Sequence, residues 1–507
     1  MAPTDPDVVV IGAGPNGLVA ACALASAGFQ VLVLEANPRR PGGALGTEQL
    51  TLPGFYHDTG PAFFPFGKNS PAFDRLNLRA YGVEWLHAAF ESCHPAPDDS
   101  YACIARNPAA TQHHFGSERD TQRWVELANW HARIEPHLLD ALLLPFPSLG
   151  PLWRLGFVNA LKLARLFCSS GRRLARRLFE SEAAQRVLPS LALHVDVGPD
   201  DPMGAALGYV LGLTATTSGY GVPLGGARSI TNALLTILER HGGRLRLGAR
   251  VTRVIVRNRC ACAVELAGGE QVRAERAIMA NTAAPSLFLD LLERQDIPSR
   301  VARVMRRFAY GWGTFKLDWA LSANVPWRVE AARQSAVVHI GDSVEELARF
   351  AKQVRARQLP ERPYLLVGQQ SLVDPSRAPI DHHTLYSYTH VPSNPEGGWS
   401  THRERFADTV EARIEELAPG FRDSILARCI SAPPELEAMD CNLVGGDLGG
   451  GSNGWRHQLL FRPIFPYFRY RTPVKRLYLC SSFAHPGAGV HGMCGYNAAQ
   501  IALRDLG

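Results

Sequence analysis

Surplus charge is small in this 507-residue sequence: 53 Lys and Arg stand against 47 Asp and Glu, a formal +6. So slight an excess over so long a chain makes no basic field of the kind that holds nucleic acid. Cysteine is scarce, 10 in all, which excludes a disulfide scaffold. The one close pair, Cys260-Ala-Cys262, has neither C-x-x-C redox spacing nor zinc-site spacing, so no metal centre is expected. Reduced thiols in a cytoplasmic protein are the simplest expectation. No stretch of about 20 residues is apolar and free of Gly, Pro and charge, which argues against a spanning helix. The most apolar long stretch, Leu138 to Leu155, is broken by Asp140, Pro145, Pro147, Gly150, Pro151 and Arg154. No basic segment precedes the first apolar run, so a secretory signal is not expected. H-E-x-x-H and P-loop motifs are missing too. Metalloprotease and NTPase chemistry therefore lack support. What remains is an ordinary globular composition, 46% hydrophobic and 20% charged, over a length that allows two or three domains.

The N-terminus carries the most informative pattern. Val8-Val9-Val10-Ile11 reads as a buried parallel strand. Gly12-Ala13-Gly14-Pro15-Asn16-Gly17 follows, then a helix of small residues that Gly28 ends. A second apolar strand, Val31 to Leu34, leads into Glu35 and Ala36. This is G-x-G-x-x-G in its full context of strand, turn, helix, strand and terminal acid. Gly12 permits the tight turn, Gly14 lets the backbone approach a pyrophosphate, and Gly17 allows close helix packing. The helix N-terminus favours phosphate charge. A carboxylate at Glu35 suits a ribose diol and disfavours a 2′-phosphate, so the site fits FAD or NAD better than NADP.

Later segments choose between those two. Arg40-Pro-Gly-Gly-Ala-Leu45 and His57-Asp-Thr-Gly-Pro-Ala62 lie just downstream, and near the C-terminus a strand at Leu477 to Cys480 leads into Ser481 to Gln500. Together with Tyr220 to Gly226, Ala277 to Asn281, Phe315 to Leu321 and Ser371 to Pro379, they resemble the phytoene desaturase and carotenoid desaturase-isomerase family of FAD-dependent oxidoreductases. The resemblance spans nearly the whole chain and is more specific in the flavin half. It implies an α/β fold in which a Rossmann-type FAD-binding domain is interleaved with an α+β substrate domain. The expected divisions are 1–75, 222–285 and 470–507 for FAD, and 76–221 and 286–469 for substrate. It also implies that Gly42, Gly43, Ala44 and Leu45 pass the flavin, that Gly60, Pro61 and Ala62 lie near its ring system, and that Val251 pairs with adenine. Gly489, Val490, Gly492 and Met493 would face the flavin's pyrimidine edge or ribityl chain. A helix opening there would put partial positive charge beside the anionic edge of reduced flavin.

Flavin chemistry needs no protein nucleophile, so proton transfer is the task left to side chains. His491, inside the flavin-facing motif, is the first candidate, followed by His485. His390 is a third, although it and His339 sit in apolar strand-like runs that suit core histidines. Lys316 and Asp318 lie in an alternating strand and are expected to pair. Leu152 to Leu178 combines seven Lys and Arg with apolar residues and reads as a basic amphipathic helix, either a membrane-surface contact or a lid with a solvated basic face. Gly445 to Asn453 reads as a flexible loop. No second G-x-G-x-x-G stands in the full context of strand, turn, helix, strand and terminal acid, so dioxygen or a quinone is the expected electron acceptor. The leading expectation is hydride transfer with a hydrophobic polyene or isoprenoid-like substrate. An amine oxidase or protoporphyrinogen oxidase-like activity, and a structural flavin without turnover, stay open.

Overall fold

The computed structural model describes residues 5–507. The strands that organise it begin with β1 (Val8–Ile11), β2 (Val31–Leu34), β3 (Phe90–Pro95), β4 (Tyr101–Ile104), β5 (Arg244–Arg246), β6 (Val251–Arg257) and β7 (Cys260–Leu266). They continue with β8 (Gln271–Arg273), β9 (Ala277–Ala280), β10 (Gly313–Leu321), β11 (Ser335–Ile340), β12 (Leu365–Gly368), β13 (His383–Val391), β14 (Ile425–Ser431) and β15 (Leu477–Leu479).

One sheet is parallel, in the order β15-β9-β1-β2-β5. Its central strand β1 is wholly apolar because both its faces are covered. Helix α1 (Pro15–Ser26) follows the glycine turn and packs on the C-terminal helix Met493–Leu506, so the two chain ends meet. The approach is close: a Cβ at Gly17 would stand 2.2 Å from the Gly12 carbonyl oxygen, and one at Gly495 would stand 1.9 Å from that of Asn16. The small antiparallel sheet β6-β7-β8 adjoins this layer.

The other large sheet runs β14-β10-β13-β12-β11-β3-β4, antiparallel throughout except where β11 meets β3. Period-2 alternation gives it two different faces. Phe315, Leu317, Trp319 and Leu321 of β10 enter an apolar core beneath helix Trp399–Glu415. Thr314, Lys316 and Asp318 of the same strand face the opposite way, level with His390, Tyr388 and Tyr386 of β13. That second face carries the chemistry.

The basic stretch differs from its expected form. It is three helices, α2 (Leu149–Leu155), α3 (Phe157–Phe167) and α4 (Gly171–Leu178). Gly156, at φ +76°, breaks the chain between the first two, and the Ser170 hydroxyl caps the third by accepting from the Arg173 amide. Among the described residues no helix is long and apolar enough to cross a membrane, and all ten cysteines are unpaired.

Candidate active site

The glycine turn adopts a form that only this local sequence permits. Gly12 has φ +89° and donates its amide to the Leu34 carbonyl at 2.7 Å. Glu35 receives the Ala13 amide at 2.7 Å and the Asn37 amide at 2.8 Å, which fixes the carboxylate at the end of β2 beside the turn. The Gly42 amide donates to Ala13 at 2.9 Å, and Arg40 donates to the Gly43 carbonyl at 2.8 Å, folding the Arg40–Leu45 loop against the same turn. Ala249 donates to the Glu35 carbonyl and Gly248 to that of Asn37, so the chain entering Val251 lies alongside Glu35 and Ala36. No side chain caps α1, and no acid occupies its first turn. A helix start of this kind leaves amide donors and partial positive charge for an anion.

A cavity of about 1260 Å³ opens from this layer toward the second sheet. Ala44, Thr59, Gly60 and Pro61 line one wall with Gly489, Val490 and His491. Gly60 is held against Ala44 so closely that a Cβ would stand 2.6 Å from its carbonyl oxygen. Ala62 is buried behind this wall, and Gly492 and Met493 turn the chain into the final helix without lining the cavity.

The three histidine candidates are not equivalent. His491 accepts the Met493 amide on Nδ1 at 3.0 Å, which leaves its proton on Nε2. That Nε2 is buried, on a residue of the cavity wall, and has no protein partner among the described residues. Burial lowers the His491 pKa to about 4, with the nearby His485 a lesser cause. His485 also lines the cavity, but its Nε2 donates to the Leu144 carbonyl at 3.1 Å, and burial likewise lowers its pKa to about 4. His390 stands apart, beside a void of about 10 Å³ shared with Asp196 and Asp447, with Nδ1 3.4 Å from the Gly313 carbonyl oxygen.

Sequence reasoning anticipated the Lys316–Asp318 pair on β10 but not its place beside the cavity or the buried network behind it. Lys316 and Asp318 do pair, yet Lys316 also lines the cavity. Burial raises the Asp318 pKa despite that lysine, and His57, 3.6 Å away, is pushed down to about 3 by burial and by the Lys316 charge. Behind them Arg377 bridges Asp58 at 2.7 Å and Asp374 at 2.9 Å, all three side chains about 1% exposed. Asp58 also receives the Thr47 hydroxyl and the Ala227 amide, tying this ion network to the loops that enter the cavity wall. The alternation of β10 was visible in the sequence; its buried neighbours His57, Asp58 and Arg377 come from segments far from it along the chain. The glycine-rich 445–453 loop is tethered where flexibility was expected. Asp447 accepts amides from Gly311, Gly449 and Gly451, and Asp196 accepts the Ser452 hydroxyl and the Asn453 amide.

An uncapped helix start, a glycine turn, an acid at the second strand and a cavity walled by Ala44, Gly60 and Gly489 are what an extended FAD molecule requires. The model of the flavin-containing amine oxidoreductase family matches residues 16–314, more than half the chain, and the chain belongs to that family. It is a FAD-dependent oxidoreductase.

Its relatives extend over the full length. It is 28% identical to pyridine nucleotide-disulfide oxidoreductase domain-containing protein 2 of Rattus norvegicus, across 99% of this chain and 94% of that one. It is 25% identical to the zeta-carotene-forming phytoene desaturase of Myxococcus xanthus, across 95% and 90%. Hydroxyneurosporene desaturase of Rubrivivax gelatinosus is also 25% identical, across 98% and 93%. Among solved structures, an oxidoreductase from Methanosarcina mazei has a TM-score of 0.66 at 16% identity, covering 98% of this chain and 99% of that one. Cyclohexylamine oxidase from Brevibacterium oxydans IH-35A has a TM-score of 0.63 at 18% identity, covering 99% of each. The fold is thus that of the FAD amine oxidases, and the resemblance to phytoene desaturases read in the sequence is borne out.

Proposed function

We propose that the protein transfers hydride to or from carbon on a hydrophobic, isoprenoid-like or polyene substrate. The observation that carries this reading is the cavity of about 1260 Å³, walled by apolar residues such as Phe63, Leu143, Phe167, Leu207 and Leu211, which ends at Gly60 and His491. Bound FAD supplies a hydride acceptor or donor. The chain's own residues bind it, orient the substrate and exclude water. In this reading residues 1–75, 222–285 and 470–507 form the FAD-binding part, and residues 76–221 and 286–469 form the substrate part.

Gly12 to Gly17 and the start of α1 hold the pyrophosphate, with Asn16 at the first turn. Glu35 receives the ribose hydroxyls, and Ala36 and Val251 lie along the adenine. Ala44, Gly60, Pro61 and Gly489 to His491 line the space for the flavin head, and Gly42, Gly43, Leu45, Ala62, Gly492 and Met493 shape the segments that carry them. His491 offers its Nε2 proton to the flavin or substrate, and its neutral state suits donation without a buried charge. His485 positions the wall at Leu144. An anaerobic bleaching screen tests the reading: polyenes and isoprenoids are expected to reduce the bound flavin, and dioxygen or a quinone to reoxidise it. Reduction by primary amines alone would refute it.

The helices α2 and α3 support a membrane contact at the cavity's outer side. Trp153 and Phe157 are 83% and 82% exposed, beside exposed Leu149 and Val158. The loop before α2 supplies Phe146 to the cavity wall. Exposed Arg165, Arg173 and Arg177 add attraction to anionic lipid, about 1 kcal/mol each. The full chain is expected to float with phosphatidylserine vesicles, and the double change Trp153→Glu, Phe157→Glu to abolish flotation. Equal flotation of the two proteins would count against a lipid surface here.

A further inference from the structure

Across the floor of the cavity runs a chain of hydrogen bonds that the flavin reading does not use. Ser190 Oγ lies 3.0 Å from His94 Nδ1, and His94 Nε2 lies 2.8 Å from Ser92 Oγ. Ser92 Oγ lies 2.8 Å from His339 Nδ1, His339 Nε2 lies 2.9 Å from His194 Nε2, and His194 Nδ1 lies 3.3 Å from the Tyr388 hydroxyl. Ser92 and His94 belong to β3, His339 to β11 and Tyr388 to β13, so the chain crosses the sheet. Only His194 and Tyr388 of these residues line the cavity.

One end of the chain fixes every proton in it. Ser190 Oγ is 2.8 Å from the Val187 carbonyl oxygen, which can only accept, so the serine proton is spent there. Ser190 therefore accepts from His94 Nδ1–H, and His94 Nε2 accepts from Ser92. Ser92 in turn accepts from His339 Nδ1–H, His339 Nε2 accepts from His194 Nε2–H, and His194 Nδ1 accepts the Tyr388 proton. This order requires all three histidines to be neutral. Burial lowers each of their pKa values, that of His194 to about 3. The chain is no proton exit, because a proton entering at Tyr388 would have to leave onto the Val187 carbonyl.

The consequence falls on the cavity. Tyr388 has its one proton directed inward, and its hydroxyl has no other protein partner among the described residues. Its strand partner Lys316 is committed to Asp318. The phenol oxygen thus presents only lone pairs to an otherwise largely apolar space. We propose that Tyr388, held by His194 and the chain behind it, is a specificity-determining acceptor for a substrate whose apolar body carries a hydrogen-bond donor, a hydroxyl or an amine. This inference rests on the proposed isoprenoid-like substrate and narrows it. His194, His339, Ser92 and His94 act as positioning residues through Tyr388.

Matched ligands on the FAD-loaded protein test it, read by quenching of tryptophan fluorescence, since Trp312 and Trp455 line the cavity. Farnesol, farnesylamine and farnesyl methyl ether differ only at the head, and the two donor-bearing compounds separate hydroxyl from amine preference. The wild type is expected to bind at least one of them about tenfold more tightly than the ether. Tyr388→Phe, which removes one oxygen, loses that preference. His194→Leu frees the phenol proton to face the cavity, so the ether then binds as well as the alcohol. His194→Gln, with both an acceptor and a donor, restores the discrimination. A steric bar to the methyl group would survive His194→Leu, so an unchanged ranking there overturns the inference. Equal wild-type affinity for farnesol, farnesylamine and ether also overturns it. Decanol and decyl methyl ether separate this outcome from failure of the isoprenoid reading: discrimination on the decyl pair with no farnesyl binding refutes only the latter.

Discussion

Gly14→Val is expected to purify without colour, with flavin content below about one-tenth of the wild type, because the second glycine of the turn is where backbone approaches pyrophosphate. A Cβ at Gly14 would also stand 2.8 Å from Asn281 Nδ2, on the residue that follows β9. That neighbour is the end of a side chain, which can give way. The parallel sheet should therefore survive, with far-ultraviolet circular dichroism unchanged. Wild-type flavin content in this variant would mean that the turn does not carry the phosphates. Glu35→Gln is the companion: it keeps an oxygen for one of the two amides that Glu35 accepts, turns an NH2 toward the other and removes the negative charge, and a smaller loss of flavin is expected.

Arg377→Leu carries the largest expected effect on stability. It removes the cation that bridges Asp58 and Asp374 and leaves two buried carboxylates without that partner. Breaking a buried pair in this way costs about 3–5 kcal/mol. The loss is expected to reach the cofactor too, because Asp58 anchors Thr47 and the start of the helix Arg228–Arg240, and precedes Thr59 and Gly60 in the cavity wall. A denaturant midpoint within error of the wild type would contradict that account. Arg246→Leu is the control: its partner Glu270 is exposed, and no measurable change is expected.

What the sequence revealed follows from how local each signal is. The glycine turn, its flanking strands and Glu35 are adjacent in sequence, so one spacing rule recovers them. The C-terminal motif is legible through its family resemblance, and in the structure its Gly489 and Gly492 adopt positive φ. The substrate side obeys no such rule. His94, His194 and His339 come from three separate segments: the sheet order places β3 beside β11, and the turn after the helix Val187–Ala192 brings His194 to them. Each has the sequence surroundings of an ordinary core histidine, and a core histidine is what each one is; their significance lies in the order of their protons. Arg377 was hidden for the same reason, since nothing in Pro375-Ser-Arg377 points to Asp58. The basic stretch misled in a different way: its composition suggested a single helix, but Gly156 and the Ser170 cap divide it.

The central claim is that the two ends of the chain close around FAD, phosphates at Gly12–Gly17 and ring system at Gly60 and Gly489–Met493. The most direct measurement is the visible spectrum of the purified protein, with the released chromophore identified by mass after denaturation. A flavin spectrum and one FAD released per chain are the predicted result. A colourless protein that takes up no FAD on incubation would contradict it.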